Sequence, residues 1–268
     1  MHESPVNQAA GLQGLIQPCG PRIMAMVSHG DERAELPLLW RLCWTLADLG
    51  YTVTVLDATT FESENNPGLD QLLQNSYWQN EAHVEAPAWT VVPSGKAIQN
   101  LCTPPSSQAQ NLHRLGQLFA RDSVVILYSR TEWLVPMVGH CGVTPLLAVS
   151  PVKASLLTSY RALKRLVING QLEPTIVNMV APSHDAPAGL PSASTGALSL
   201  IECAKNFLNY DAKVINLPAG DDHGGGVMQR LALRLMESAV SLGEDSAIMG
   251  QLLASKHLTG MDRFAGSH

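Results

Sequence analysis

Charge is scarce in this chain, and basic charge is scarcer still. Only 15% of the 268 residues are Asp, Glu, Lys or Arg, and 17 basic side chains stand against 23 acidic ones, for a formal net charge of −6. Binding to nucleic acid through the phosphate backbone needs a basic surface that displaces counterions. The balance here argues against broad, charge-driven binding, and no nucleic-acid partner is expected. Cysteine is sparse as well. The five residues Cys19, Cys43, Cys102, Cys141 and Cys203 are odd in number and contain no C-x-x-C pair. That pattern speaks against a disulfide framework and fits free thiols in a reducing compartment. No apolar run approaches the ~18 residues of a spanning helix. The opening MHESPVNQ is neither basic nor followed by an apolar stretch, so no signal peptide is expected. Together these absences predict a cytoplasmic protein.

What is present is an ordinary apolar share of 46%, enough for a sizeable core. It is distributed in alternation. Short β-like runs occur at 22–28, 51–57, 90–92, 123–128, 145–150, 175–180 and 213–218. Helical patterns lie between them at 36–49, 106–119, 131–139, 152–168, 195–208 and 226–241. In the first helix Leu39, Leu42, Cys43, Leu46 and Leu49 keep 3.6-residue spacing, and Gly50 follows as a C-terminal cap. In 152–168 the apolar stripe reads Leu156, Tyr160, Leu163, Val167, with Lys153, Arg161, Lys164 and Arg165 mostly off it. Strands alternating with helices predict a doubly wound α/β domain with a mostly parallel sheet covered on both faces. Such sheets bind ligands at the carboxyl ends of their strands. The expected organisation is an N-terminal arm over 1–20, an α/β domain over 21–244 and a C-terminal helix or tail over 245–268. The stretches 62–68, 181–194 and 219–226 read as loops from their Pro, Gly, Ser and Asp content.

Three stretches carry a family resemblance. NQAAGLQGL (7–15) is similar to the D-Q-A-x-x-L-R motif ahead of the first strand in FlhG. IMAMVSHG…GYTVTVLDA (23–58) resembles the first strand, loop, helix and second strand of MinD/ParA-type P-loop proteins. PLLAVSPVKASLLTSYRALKRL…TIVNMV (145–180) resembles that family's later strand, helix and strand. The chain as a whole looks like the FlhG/FleN branch of the MinD/ParA type. The resemblance implies that Gln8, Ala9 and Leu12 match a motif that contacts a signal-recognition-type GTPase, FlhF. Asn7 and Gln13 replace the charged residues of that motif.

Family members read roughly S-G-K-G-G-V-G-K-T-T after the first strand. Here the stretch is Ser28-His29-Gly30-Asp31-Glu32-Arg33-Ala34-Glu35-Leu36-Pro37, and residues 23–40 contain no lysine. A P-loop works because its backbone N–H groups wrap the phosphates, its lysine neutralises charge, and its Ser/Thr hydroxyl holds Mg²⁺. By position Gly30 and Glu35 stand for the two lysines and Leu36 for the hydroxyl. His29, Gly30, Asp31, Glu32, Glu35 and Leu36 therefore form a degenerate loop. Asp31, Glu32 and Glu35 would each cost a bound polyphosphate roughly 4 kcal/mol at ~4 Å and an effective dielectric of ~20. The family's strand-end Asp in a D-T/C-A-x-G context is also replaced, by Tyr128-Ser129-Arg130-Thr131. The resemblance thus implies a pseudo-ATPase with no cofactor. Its partner would be a protein, an FlhF-like GTPase or a component of a polar assembly such as the flagellum. The alternative is an atypical MinD/ParA-like ATPase in cellulose or pilus biogenesis or in partitioning. Any assembly should be indifferent to ATP. The loop residues Asp31, Glu32, Arg33 and Glu35 are expected to be exposed, with the helix starting near Leu36 or Pro37.

Asp57 ends the second strand where the family has an Asp that positions water or metal, and it equally suits a strand-end cap of the next loop. Asn178 sits where the family Asn reads adenine. Both count as vestigial nucleotide-site candidates. Ser28, His29 and Asp31 are neighbours on one loop, which does not suit a hydrolase triad converging from separate elements. His113, His140, Cys141 and His223 fit no zinc spacing. Near the C-terminus, Ile248, Met249, Leu252, Leu253 and Leu258 offer an apolar face, but only Lys256 and Arg263 are close by, so membrane contact is weak at most.

Overall fold

The computed structural model describes residues 20–74, 89–103, 107–180, 195–218 and 225–242. The N-terminal candidates Gln8, Ala9 and Leu12, the 181–194 loop, His223 and the 245–268 tail lie outside the described residues. The strands are β1 (Arg22–Val27), β2 (Thr52–Asp57), β3 (Trp89–Pro93), β4 (Ser123–Ser129), β5 (Leu146–Val149), β6 (Thr175–Val180), β7 (Lys213–Pro218) and the two-residue β8 (Val240–Ser241). The helices are α1 (Glu32–Asp48), α2 (Leu69–Gln74), α3 (Gly95–Cys102), α4 (Gln108–Gly116), α5 (Thr131–Val138), α6 (Lys153–Gly170), α7 (Thr195–Leu208) and α8 (Gly226–Ser238).

Seven strands run parallel in the order β3-β2-β4-β1-β5-β6-β7. β5 reaches β1 only at Met26, and at the amino end of β1 the antiparallel β8 takes that edge, pairing Arg22 with Ser241 and Ile23 with Val240. The sheet separates two apolar layers, as strand alternation requires. On one side Met24, Met26, Val53, Val55, Ile126 and Tyr128 meet α1 and α8. On the other, Ile23, Ala25, Val27, Val125 and Leu127 meet α3 to α7. β1 leads away to one side of the sheet and its neighbour β5 to the other. The carboxyl ends of these two strands therefore flank a topological switch point, where α/β sheets place ligands.

The α1 stripe is buried as its spacing predicts, with Leu42, Cys43 and Leu46 at or near zero exposure. Its C-terminus is a Schellman closure: Tyr51 N–H donates to Leu46 O and Gly50 N–H to Ala47 O, with Gly50 at φ 89°. The α6 stripe is turned by about a residue from the expected one. Ser155, Ser159, Ala162, Leu163 and Leu166 are buried, while Leu156, Tyr160 and Val167 are only partly so. Small residues bring this helix close to the β1–α1 turn, and Leu156 lies toward α7, against Gly196.

Candidate functional site

The site is the turn from β1 to α1 and what surrounds it. Four residues, Ser28 to Asp31, separate the last strand residue from the first helical one. Gly30 makes the turn at φ 93°, a left-handed conformation that glycine adopts without strain. Asp31 is the N-cap, and its carbonyl accepts from the N–H groups of Ala34 and Glu35 at 2.9 Å each. The helix thus begins at Glu32, a turn earlier than expected, and Pro37 lies inside it. The physical reason is Glu35. Its Oε1 accepts from the backbone N–H groups of His29 and Asp31, both at 2.9 Å, in the manner of a capping box. That closes the helix start without help from Leu36 or Pro37, and Pro37 lies exposed inside the helix, where its missing N–H removes the donor to the Arg33 carbonyl.

Glu35 is also the main correction to the sequence reading. It is fully buried, whereas Glu32, Arg33 and Leu36 are exposed and Asp31 is half-buried. Its second oxygen accepts from the Tyr128 hydroxyl at 2.5 Å. Burial, and next the hydrogen bond to Glu35, push the Tyr128 phenol well above its ordinary value. It therefore stays protonated and donates. Tyr128 closes β4 next to β1, in register with Asp57 of β2. The acceptor role of Glu35 and the donor role of Tyr128 were missed in sequence. The available signal was a tyrosine at a buried strand end, which must find a partner for its hydroxyl.

His29 is held from the other side. Its Nε2 lies 2.7 Å from Ala148 O, so this nitrogen carries the proton. Its Nδ1 lies 2.8 Å from Thr158 Oγ1, and Glu35 Oε1 is 3.5 Å from Nε2. The ring pins the turn to the end of β5 and to α6. Asp31 faces Ser150 and Ser155 at the start of α6. Burial acts to raise its carboxyl, but the nearby Ser150 and Ser155 hydroxyls and the attraction of His29 outweigh it and hold it below the ordinary value, although Asp31 Oδ2 and Ser150 Oγ are buried without a hydrogen bond of good geometry. An open cleft of about 400 Å³ lies between Gly30, Asp31 and Arg33 on one side and Val152, Ser155 and Thr158 on the other.

The remaining candidates are placed as follows. The Asp57 carboxylate caps its own loop, accepting from Thr59 N–H, Thr59 Oγ1 and Thr60 Oγ1. Asn178 is buried on β6 and donates to Asn216 of β7 at 2.8 Å. It lies across β5 from β1, on the opposite face of the sheet from Glu35. His140 meets Gln171 and His113 meets Gln117. Among the described residues no three His, Cys, Asp or Glu side chains gather as a metal site, and no helix is long and apolar enough to cross a membrane.

No family model matches the chain, and no curated protein matches it. Solved structures do. A plasmid partition protein from Borrelia burgdorferi overlays with a TM-score of 0.51 at 10% identity, over 81% of this chain and 99% of that one. The ATP complex of McdA from Cyanothece overlays at 0.50 with 12% identity, over 82% and 92%. The MinD cell division ATPase of Pyrococcus furiosus aligns over 81% and 98% at 13% identity, with a TM-score of 0.46. The fold is the parallel α/β fold of the ParA/MinD-type P-loop ATPases.

Proposed function

We propose that this chain is a MinD/ParA-like pseudo-ATPase of the FlhG-like branch, which acts through protein contacts in flagellar or other polar surface assembly. The observation that carries the reading is the occupancy of the β1–α1 turn by the chain's own carboxylate. In a P-loop the backbone N–H groups of this turn point at phosphate. Here two of them are spent on Glu35, which stands where the resemblance puts the loop lysine. A phosphate at that point would have to displace a buried anion and would meet Asp31 beside it. The lysine of a P-loop has no counterpart, since the sequence has none before Lys96, and Arg33 on the cleft wall is the loop's one basic side chain.

The test is a phosphate-release assay on the full chain with Mg-ATP. The rate should equal that of buffer. Turnover that disappears on Glu35→Ala would instead mark an ATPase with an unusual loop. The partner side of the proposal rests on residues 5–16, where Gln8, Ala9 and Leu12 match the FlhG motif. Leu12→Asp should reduce capture of an FlhF-like GTPase and leave the melting temperature unchanged. A lowered melting temperature with capture intact would make the segment structural.

A further inference from the structure

On the outer side of α1, Leu36, Trp40 and Trp44 follow one another at four-residue spacing and are 48%, 49% and 43% exposed. Pro37 beside them is exposed as well. Large aromatic rings usually lose most of their surface to the core, so two tryptophans on one solvent-facing helix stripe need an explanation. Trp40 is already held in place, its ring edge-on to Trp89 of β3 with centroids 4.7 Å apart at 85°. A ring fixed in advance loses little freedom when something packs on it.

The ends of this stripe carry opposite charges. Arg33 stands in the first turn of α1 and Asp48 in the last; both are exposed. Neither joins an ion pair among the described residues. At about 100° per residue, Arg33, Leu36, Pro37, Trp40, Trp44 and Asp48 fall within an arc of roughly 120°. Arg33 and Asp48 lie ~22 Å apart along the axis, on either side of Trp40.

A face that is basic at one end, apolar in the middle and acidic at the other is complementary to itself turned end for end. We propose that a second copy of this chain docks here. The two α1 helices cross antiparallel about a twofold axis near Trp40, and Arg33 of each copy faces the partner subunit's Asp48. Such an isologous contact closes at two copies. It places tryptophan at the centre and charge at the rim, the usual distribution of interface energy. It also sets the two helix dipoles antiparallel, the positive end of each beside the negative end of the other. The stripe's centre at Trp40 and Trp44 faces away from Glu35 and only Arg33 also borders the cleft; the dimer needs no nucleotide, and its test, made without nucleotide, is separate from that of the pseudo-ATPase reading.

Sedimentation velocity on the full chain without nucleotide tests this. One helix face is a small interface, so dissociation is expected on the order of micromolar. Arg33→Asp or Asp48→Arg alone should weaken the dimer at least about tenfold, because each converts two attractions into two repulsions. Mixing the two single variants should restore association as a heterodimer, and so should Arg33→Asp combined with Asp48→Arg in one chain. The restoration separates a lost contact from a lost fold. A wild-type chain that stays monomeric up to about 200 µM, far above that expectation, would overturn the proposal. So would a dimer indifferent to the single reversals, or one not restored by the mixture.

Discussion

At the scale of single residues, the site depends on where one carboxylate sits. Glu35 satisfies two backbone N–H groups and one phenol in a fully buried setting. Removing it strands all three donors, at about 1 kcal/mol or more each. Glu35→Ala should therefore lower unfolding stability by roughly 3 kcal/mol in urea melts. A loss below about 1 kcal/mol, the worth of one ordinary hydrogen bond, would mean the turn closes without the carboxylate. Asp31 gives a pH signature. Its folded pKa is depressed, so its contribution is present above the unfolded value of about 3.9 and fades as pH falls through the folded one. Asp31→Asn should thus be less stable than wild type at neutral pH, with the gap closing in acid below about pH 4. A gap that persists at pH 2 would assign the effect to packing. Tyr128 works in the opposite direction: its folded pKa is raised, so its contribution holds below about pH 10 and is lost as pH rises through the folded value.

At the scale of elements, much of the molecule was legible. β6, β7 and α7 fall on the expected residues, and β1, β2, β4 and β5 lie within a residue or so of them. The reason is that buried parallel strands read as short β-branched runs between helical periods. α2 and α3 were not legible, because six and eight residues hold too few turns to show a period. The antiparallel β8 was hidden inside what reads as the end of α8. The start of α1 was misplaced for a different reason. Pro37 suggested a first helical turn, but side-chain capping by Glu35 came from a contact that spacing alone does not show. Glu62 repeats this device, its carboxylate accepting from Lys96 N–H, Ala97 N–H and Asp70 N–H at the starts of α3 and α2. At the other end of α1, Gly50→Ala should cost about 1 kcal/mol in a thermal melt, since φ 89° admits a Cβ only under strain. No change would mean the Schellman closure relaxes freely.

At the scale of the whole molecule, a parallel sheet of the ParA/MinD-type fold carries a self-contained turn at its switch point. That turn is closed from three sides: Glu35 from within α1, Tyr128 from β4, and His29 anchored on β5 and α6. Fold and site therefore answer different questions. The apolar layers specify the sheet whatever the turn binds, and only the residues of the turn bear on ligand chemistry. The most direct measurement is isothermal titration of the full chain with Mg-ATP. A turn already filled by Glu35 predicts no binding heat at millimolar nucleotide. Saturable binding at micromolar concentration, with one nucleotide per chain, would contradict it.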